Sequence, residues 1–200
     1  MKKIVFAFIM AIAAIGFIAC SSDNNDDDND NKETVPNPET PTDGSKILVA
    51  YFSWGGNTRA VATRIAQLTG GTLYEIQPAT PYTTNYQELA YTVARNELDT
   101  DARPALKETN ADFSQYDYVF IGCPVWWQTA PMIMSTFCEN YSFNGKTVIP
   151  FCTYTSTGRD ATLQKLSSLA STANHLTGYG TSGSNTSGVE SWLKEINMIK

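Results

Sequence analysis

A turn rich in glycine and hydroxyl groups carries the clearest chemical signal in this sequence. Its residues, Ser53-Trp54-Gly55-Gly56-Asn57-Thr58, lie between a short apolar run and a segment with helical periodicity. A strand that ends in such a turn and continues as a helix leaves backbone N–H groups unpaired beside the positive end of the helix dipole. That arrangement binds a phosphate. The same residues also fit an ordinary strand–helix turn capped by Asn57 or Thr58, so both interpretations stay open on this stretch alone.

Other catalytic patterns are absent from the sequence. His175 is its one histidine, so it forms neither a metal-ligand pattern nor a Ser-His-Asp set, and no Cys-x-x-Cys pair occurs. Cys123 and Cys152 end two predicted strands, which would allow a disulfide in an oxidising compartment; three free thiols, with Cys138, are the preferred interpretation. We therefore assign no catalytic acid, base or nucleophile.

The segments around the turn alternate between strand and helix patterns. Apolar, β-branched runs predict five strands: 46–52, 72–76, 117–123, 146–152 and, more weakly, 175–179. Helical periodicity follows each strand, with Pro131 and the Thr84–Gln87 capping pattern at helix starts and Gly70-Gly71 at a helix end. This alternation predicts a parallel sheet covered by helices on both faces, a three-layer α/β/α fold.

The distribution of charge limits the classes of partner. Two hundred residues with 42% hydrophobic content suffice for one domain with a core. The formal net charge of −6 comes mainly from residues 21–45, which hold eight acidic residues and one lysine. With Lys2 and Lys3 also counted, residues 46–200 carry a net charge of −1. No basic patch is present there, so a nucleic-acid partner is not expected.

The first residues predict export and lipidation. Lys2-Lys3 precedes an apolar run that is short for a membrane span, and a signal peptide over residues 1–19 is expected. Phe17-Ile18-Ala19-Cys20 resembles the lipobox of bacterial lipoproteins, which implies cleavage before Cys20 and lipidation of that residue. The alternative is a plain secretory signal followed by a chance cysteine.

Residues 20–45 predict a disordered, acidic tether between the lipidated cysteine and a domain at 46–200. This stretch contains almost nothing apolar to bury. Its acidic run resembles the export signal of some surface-displayed lipoproteins, and a solvated spacer is the simpler alternative. We expect a lipoprotein anchored in the outer membrane, with its domain in the periplasm or at the cell surface.

Residues 46–199 resemble a flavodoxin, in particular the short flavodoxin-like proteins found among bacterial reductases and lipoproteins. The resemblance implies a five-stranded sheet of order 2-1-3-4-5, with FMN at the point where the strand order reverses. Flavodoxin is the standard example of that geometry. It rests on three segments that such a fold brings together at the carboxyl ends of strands one, three and four.

Each segment matches a family loop with some departures. Residues 53–58 are similar to a hydroxyl-x-Thr-Gly-Asn-Thr phosphate loop, with Gly55 where threonine is usual. Residues 122–127 resemble the Gly-x-Pro-x-Trp loop that walls the flavin ring. Residues 151–158 are similar to a loop that more often has the sequence Phe-Cys-Thr-His-Gly-Gly-Ser-Gly, with Tyr154 in place of the histidine and Thr155 in place of a glycine.

The resemblance assigns cofactor contacts to three groups of residues. They are Ser53, Trp54, Gly55, Gly56, Asn57 and Thr58; Pro124, Val125, Trp126 and Trp127; and Thr153, Tyr154, Thr155 and Gly158. Two neighbouring tryptophans on a loop cannot both bury on the same side, so a flat ring is expected to cover the exposed one.

An FMN-dependent oxidoreductase or electron carrier is the implied function, with an unknown donor and an acceptor such as a quinone. The loop 123–128 contains no glycine, so a backbone flip into positive φ beside the flavin would be costly, and two-electron chemistry is expected. The departures at Gly55, Tyr154 and Thr155 keep a second hypothesis open: a binding or structural lipoprotein that kept the fold and lost FMN.

Overall fold

The computed structural model describes residue 41 and residues 45–200. The predicted signal peptide, Cys20 and nearly all of the predicted tether lie outside the described residues. Within residue 41 and 45–200, no helix is long and apolar enough to cross a membrane.

Strands and helices alternate along the described chain. The strands are β1 Ile47–Tyr51, β2 Thr72–Glu75, β3 Tyr118–Pro124, β4 Thr147–Tyr154, β5 Asn174–His175 and β6 Tyr179–Ser182. The helices are α1 Asn57–Thr69, α2 Tyr86–Glu88, α3 Ala94–Asp99, α4 Met132–Asn140, α5 Arg159–Leu169 and α6 Val189–Glu195. A π-helical turn, Leu89–Val93, joins α2 to α3. Residues 86–99 therefore form one continuous helical segment, called here the 86–99 helix.

All strand pairs of the sheet are parallel, in the order β2-β1-β3-β4-β5, and β6 also pairs with β4. The predicted order 2-1-3-4-5 is confirmed. The register places Tyr51 beside Gly122 and Cys123 beside Cys152, so β1, β3 and β4 end at one edge of the sheet. Cys123, Cys138 and Cys152 are buried and free.

The core forms two layers, one on each face of the sheet. Successive side chains of β1 alternate between them: Leu48 and Ala50 pack in one cluster, and Val49 and Tyr51 in the other. The first cluster includes buried residues of α4 and α5, and the second includes those of α1 and α6. The helices therefore cover both faces, as the three-layer prediction requires.

The fifth strand position is divided between β5 and β6. The N–H of Leu176 donates to the Val148 carbonyl at 3.2 Å, so this side of β4 faces the fifth position. Pro150 lies two residues further along on the same side and has no N–H to donate. A Cβ added to Gly178 would lie 2.9 Å from the Pro150 carbonyl oxygen, so the chain crosses close to the proline. The single strand predicted at 175–179 is therefore wrong in its bounds.

Candidate functional site

A cavity of about 460 Å³ lies at the edge where β1, β3 and β4 end. That volume falls within the range of roughly 300–1,000 Å³ that small-molecule sites occupy. The strand order reverses at β1, so the cavity lies at the switch point of the sheet. All of the residues assigned to cofactor contact by resemblance line it, except Gly56 and Gly158.

The loop 53–58 brings an incompletely paired helix N-terminus to the cavity. Gly56 precedes α1 at a φ of 90°, which glycine adopts readily, and neither Asn57 nor Thr58 caps the helix. The Ser53 hydroxyl accepts hydrogen bonds from the N–H groups of Gly56 at 3.1 Å and Arg59 at 3.3 Å. Within the described chain, the N–H groups of Asn57 and Thr58 have no protein acceptor. They are available to an anion beside the positive end of the α1 dipole.

The two glycines of this loop act differently. Gly55 lines the cavity, and a Cβ added there would meet no atom within 4 Å. Replacing the usual threonine with Gly55 therefore removes a hydroxyl and leaves open space. Gly56 does not line the cavity, and its contribution is the positive φ before α1.

Two threonine hydroxyls connect the first and third segments. Thr58 Oγ1 and Thr153 Oγ1 lie 2.8 Å apart, and the residues are 1% and 3% exposed. Both line the cavity. This hydrogen bond holds the start of α1 against the end of β4.

Gly158 sets how closely the third segment approaches the second. Its φ is 84°, and a Cβ there would lie 2.7 Å from Val125 Cγ1 and 2.8 Å from Gln128 Cα. A further contact joins the same loops, because Gln128 Nε2 donates to Thr157 Oγ1 at 3.0 Å. Gly158 does not line the cavity itself. It allows the third segment to pack closely against Val125 and Gln128, which do line it.

The neighbouring tryptophans occupy different environments. Trp126 is partly buried and packs edge-on against Phe52 and Tyr82, with ring centroids 5.4 and 5.3 Å away. Trp127 is 40% exposed. Both tryptophans line the cavity, and Trp127 is the more exposed of the two, so its ring offers more free surface to a flat ligand.

Trp127 and Gln128 form the centre of a two-residue turn. Trp126 and Thr129 exchange two backbone hydrogen bonds, of 2.9 and 3.0 Å. The φ angles of Trp127 and Gln128 are 49° and 66°, the pattern of a type I′ turn, which usually contains asparagine and glycine. The expectation that this glycine-free loop would avoid positive φ is wrong.

The 86–99 helix fixes this turn from outside. Trp127 Nε1 donates to the carbonyl of Ala90 at 2.7 Å, and the Arg95 guanidinium lies 5.0 Å from the centroid of the Trp127 ring. Tyr91 meets the same ring edge-on, with the centroids 6.1 Å apart. Ala90 and Tyr91 belong to the π-helical turn, a feature often found at functional sites. These contacts offset the cost of positive φ at a bulky residue.

Sequence patterns alone did not assign the 86–99 helix to the site. The lining residues added by the structure are Tyr86, Leu89, Ala90, Tyr91, Ala94, Gln128 and Thr157. The apolar periodicity of this helix suggested a role in the core, but Leu89 and Ala90 line the cavity as well. The one available signal was the pair of aromatic residues, Tyr86 and Tyr91, on an otherwise amphipathic helix.

The lining is uncharged. Among the described residues that surround the cavity, none is an aspartate, glutamate, lysine, arginine or histidine. Arg95, which touches Trp127, is paired with Asp99 through contacts of 2.8 and 2.6 Å. The described chain also contains no cluster of three or more histidine, cysteine, aspartate or glutamate side chains able to hold a metal ion. Hydroxyl, amide and backbone groups therefore supply the polar contacts of this site.

Known proteins share this fold and part of this sequence. A candidate flavoprotein from Bacteroides uniformis ATCC 8492 has 37% identity, with coverage of 76% of this chain and 99% of that one and a TM-score of 0.69. A candidate flavoprotein from Bacteroides eggerthii DSM 20697 also has 37% identity, with 76% and 98% coverage and a TM-score of 0.66.

A more distant likeness is to the flavoprotein from Lactobacillus acidophilus NCFM solved in complex with FMN. Its identity is 23%, with coverage of 74% of this chain and 98% of that one and a TM-score of 0.61, which shows a shared fold. No protein among the curated sequences matches. Residues 46–196 match the family model for flavodoxin. The chain therefore belongs to the flavodoxin family.

Proposed function

We propose that this protein is an FMN-binding oxidoreductase, exported and anchored to a membrane through a lipid on Cys20. The observation that carries the proposal is the N-terminus of α1, whose unpaired N–H groups at Asn57 and Thr58 meet the cavity beside Gly55. Backbone N–H groups at a helix N-terminus suit a phosphate. The FMN complex of the Lactobacillus acidophilus flavoprotein, which has the same fold, adds support.

The residues present fit FMN. The loop 53–58 would hold the phosphate through N–H groups and the Ser53 and Thr58 hydroxyls, and Gly55 leaves the space that a side chain would fill. Trp127 and Tyr154 offer aromatic surface for the ring system elsewhere in the same cavity. When bound, FMN would supply the redox chemistry, while the protein binds and orients it.

We further propose that bound FMN would supply two-electron chemistry, and the turn at Trp127–Gln128 provides the reason. Reversing its central peptide would convert type I′ into type II′, which requires glycine at the first central position. That position is Trp127, held by its hydrogen bond to Ala90. Reorientation of this peptide would therefore be costly.

The first experiment measures flavin binding by full-length protein purified in detergent. The protein should be yellow, and FMN should bind at least about tenfold more tightly than riboflavin, because hydrogen bonds to a charged phosphate contribute roughly 1.5–3 kcal/mol each. Equal affinities would refute the phosphate site. Colourless protein that rejects added FMN would favour a lipoprotein that kept only the fold.

The second experiment follows absorbance during stepwise anaerobic reduction of the FMN-loaded protein. Oxidised flavin absorbance should fall in proportion to the electrons added, without a new long-wavelength band at the midpoint. A strong, persistent band there would show that electrons are accepted singly.

A further inference from the structure

We infer that a second cavity of this domain binds a small organic cation, an aliphatic amine whose ammonium group pairs with Glu97 and whose carbon chain packs on proline rings. The second cavity has a volume of about 510 Å³ and is lined by residues 78–83, Glu88, Val93, Glu97, Pro104 and Ala105. No described residue lines both this cavity and the first one, at the carboxyl edge of the sheet. The inference therefore does not depend on the proposed flavin.

Backbone hydrogen bonds hold two walls of the second cavity together. The N–H of Ala79 donates to the Ala105 carbonyl at 2.7 Å, and the N–H of Lys107 donates to the Gln77 carbonyl at 2.8 Å. Segments 77–79 and 105–107 therefore run antiparallel beside each other, with a bridge between Pro78 and Leu106. Proline rings with fixed φ line these walls, at positions 78, 81 and 104. The shape of the cavity is thus set by rigid backbone.

The 86–99 helix brings two carboxylates to this cavity, Glu88 and Glu97. In an uninterrupted α-helix, residues nine positions apart are about two and a half turns apart and face opposite sides. The π-helical turn Leu89–Val93 lies between the two glutamates, and its wider turn takes up an extra residue. Both side chains consequently meet the same cavity, although a regular helix would separate them.

Both carboxylates are only partly satisfied by the protein. Glu97 accepts a hydrogen bond from the Tyr82 hydroxyl at 3.1 Å, and Glu88 accepts one from the Thr83 hydroxyl at 2.7 Å. Within the described chain, neither carboxylate accepts another hydrogen bond or pairs with a cation. Glu97 is half-buried, and this burial raises the pKa of its carboxyl. A negative charge at Glu97 therefore lacks the partner that a buried charge requires.

The cationic side chains close to the lining in sequence are engaged elsewhere. None of the described residues that line the second cavity is lysine, arginine or histidine. Other groups hold the neighbouring cations: Asp99 pairs with Arg95, Asp101 and Glu139 pair with Arg103, and the Gln77 side chain accepts from Lys107 Nζ at 3.0 Å. A ligand is therefore the available source of positive charge for Glu97.

The composition of the lining selects an amine rather than a metal ion. An ammonium group donates charge-assisted hydrogen bonds to carboxylate and hydroxyl oxygens, which Glu97, Glu88 and Thr83 present. Proline rings and Val93 offer apolar surface to a carbon chain, which a metal ion could not use. The described chain also has no cluster of three or more histidine, cysteine, aspartate or glutamate side chains. Hard divalent cations usually take more oxygen ligands than this site supplies.

The experiment follows the melting temperature of full-length protein in detergent at pH 7.5 as n-butylamine is added. Sodium chloride keeps the ionic strength constant, so that screening does not change. The melting temperature should rise with amine concentration, because a ligand that binds only the folded state stabilises it. n-Butanol, which has the same chain length without the charge, should bind at least about tenfold more weakly. Equal stabilisation by n-butanol would overturn the assignment to a cation.

Two variants locate the amine. Glu97→Gln keeps an acceptor for Tyr82 but removes the charge, so it should weaken n-butylamine binding at least about tenfold. Glu195→Gln is the matched control, because Glu195 is exposed and lies outside the cavity; it should leave amine affinity unchanged. If both variants respond to n-butylamine like the wild type, the amine does not bind at Glu97.

Two further outcomes would also overturn the inference. Stabilisation by calcium chloride at constant ionic strength, lost in Glu97→Gln and not matched by n-butylamine, would assign the cavity to a metal ion. Release of bound FMN by n-butylamine would show that the amine enters the first cavity. Protein that lacks FMN but is stabilised by n-butylamine through Glu97 would refute the proposed function and leave this inference standing.

Discussion

The hydroxyl oxygens of Thr58 and Thr153 lie 2.8 Å apart, both buried, and connect the first turn of α1 to the end of β4. Thr58→Val or Thr153→Val should each lower the free energy of unfolding by about 1–3 kcal/mol, because the remaining hydroxyl is left buried without a partner. The double variant should lose clearly less than the sum of the two, since no unpaired hydroxyl remains. Chemical denaturation of all four proteins measures this, and additive losses would show that the pair does not interact.

Substitution of Gly158 should destabilise the protein by more than the strain of a side chain at its positive φ alone would explain. Gly158→Ala should destabilise the protein and weaken FMN binding, because a Cβ would press on Val125 and Gln128. Gly145→Ala is the control: its φ of 73° imposes similar strain, about 1–2 kcal/mol, but a Cβ there meets nothing within 4 Å. Thermal unfolding and flavin titration give both effects. Equal losses from the two substitutions would contradict a supporting role for Gly158.

Gly55 offers a way to add a phosphate contact. Gly55→Thr should tighten FMN binding by about tenfold through one hydrogen bond to a charged group, and the open surroundings of Gly55 allow the side chain. Gly55→Val has nearly the same shape without the hydroxyl and should not tighten binding. Riboflavin affinity should not distinguish the threonine variant from the valine variant. If threonine and valine act alike toward FMN, the phosphate does not lie beside Gly55.

Glu97 should make stability depend on pH. It is half-buried and accepts a hydrogen bond from Tyr82 at 3.1 Å; burial raises the pKa of its carboxyl, and the Tyr82 hydrogen bond partly opposes that shift. The folded protein therefore holds this proton more tightly than the unfolded chain, so stability falls as pH rises from the unfolded pKa through the folded one.

Glu97→Gln keeps the neutral form at every pH, and its amide oxygen can still accept from Tyr82. Its melting temperature should match the wild type below about pH 4 and exceed it at neutral pH. The exposed Glu195→Gln serves as control. A higher melting temperature for the wild type at neutral pH would show that the carboxylate is stabilised in the fold.

Cys20 tests the proposed anchor, although it lies outside the described residues. Lipoprotein processing adds several acyl chains, which together give stable membrane attachment where a single chain gives only marginal binding. Cys20→Ala, expressed behind a plain cleavable secretory signal, should move the protein to the soluble fraction and leave FMN binding unchanged. Protein that still sediments with the membranes would refute attachment through Cys20.

The strands and the three loops at the carboxyl edge of the sheet could be predicted because their signals are local, whereas the sheet order was implied only by the resemblance to flavodoxin. Buried strands such as 117–123 are continuous apolar runs, and the loop 53–58 carries its own glycines and hydroxyl groups. Pro150, where the fifth strand position is divided, is visible in the sequence. Its effect, however, depends on whether its missing N–H faces β3 or the fifth strand position. That side is known only once the neighbouring strands are placed.

The turn at Trp127 could not be predicted from its own residues. Tryptophan and glutamine rarely adopt positive φ, and what holds them there comes from the 86–99 helix, 37 residues away along the chain at Ala90. That helix looked like ordinary core packing, because apolar periodicity does not distinguish a face against the core from a face against a cavity. Contacts distant in sequence therefore determined the part of the site that local patterns missed.

The hydrogen bonds of the Ser53 hydroxyl bear on whether the domain can fold before it binds a cofactor. The first four N–H groups of a helix have no acceptor within the helix. At the start of α1 the Ser53 hydroxyl accepts hydrogen bonds from two of them, those of Gly56 and Arg59, without any bound anion. The first turn of this helix can therefore form before a cofactor arrives. For a chain that we propose is exported, folding and flavin loading become separable events, and a newly delivered domain can wait, already folded, for its cofactor.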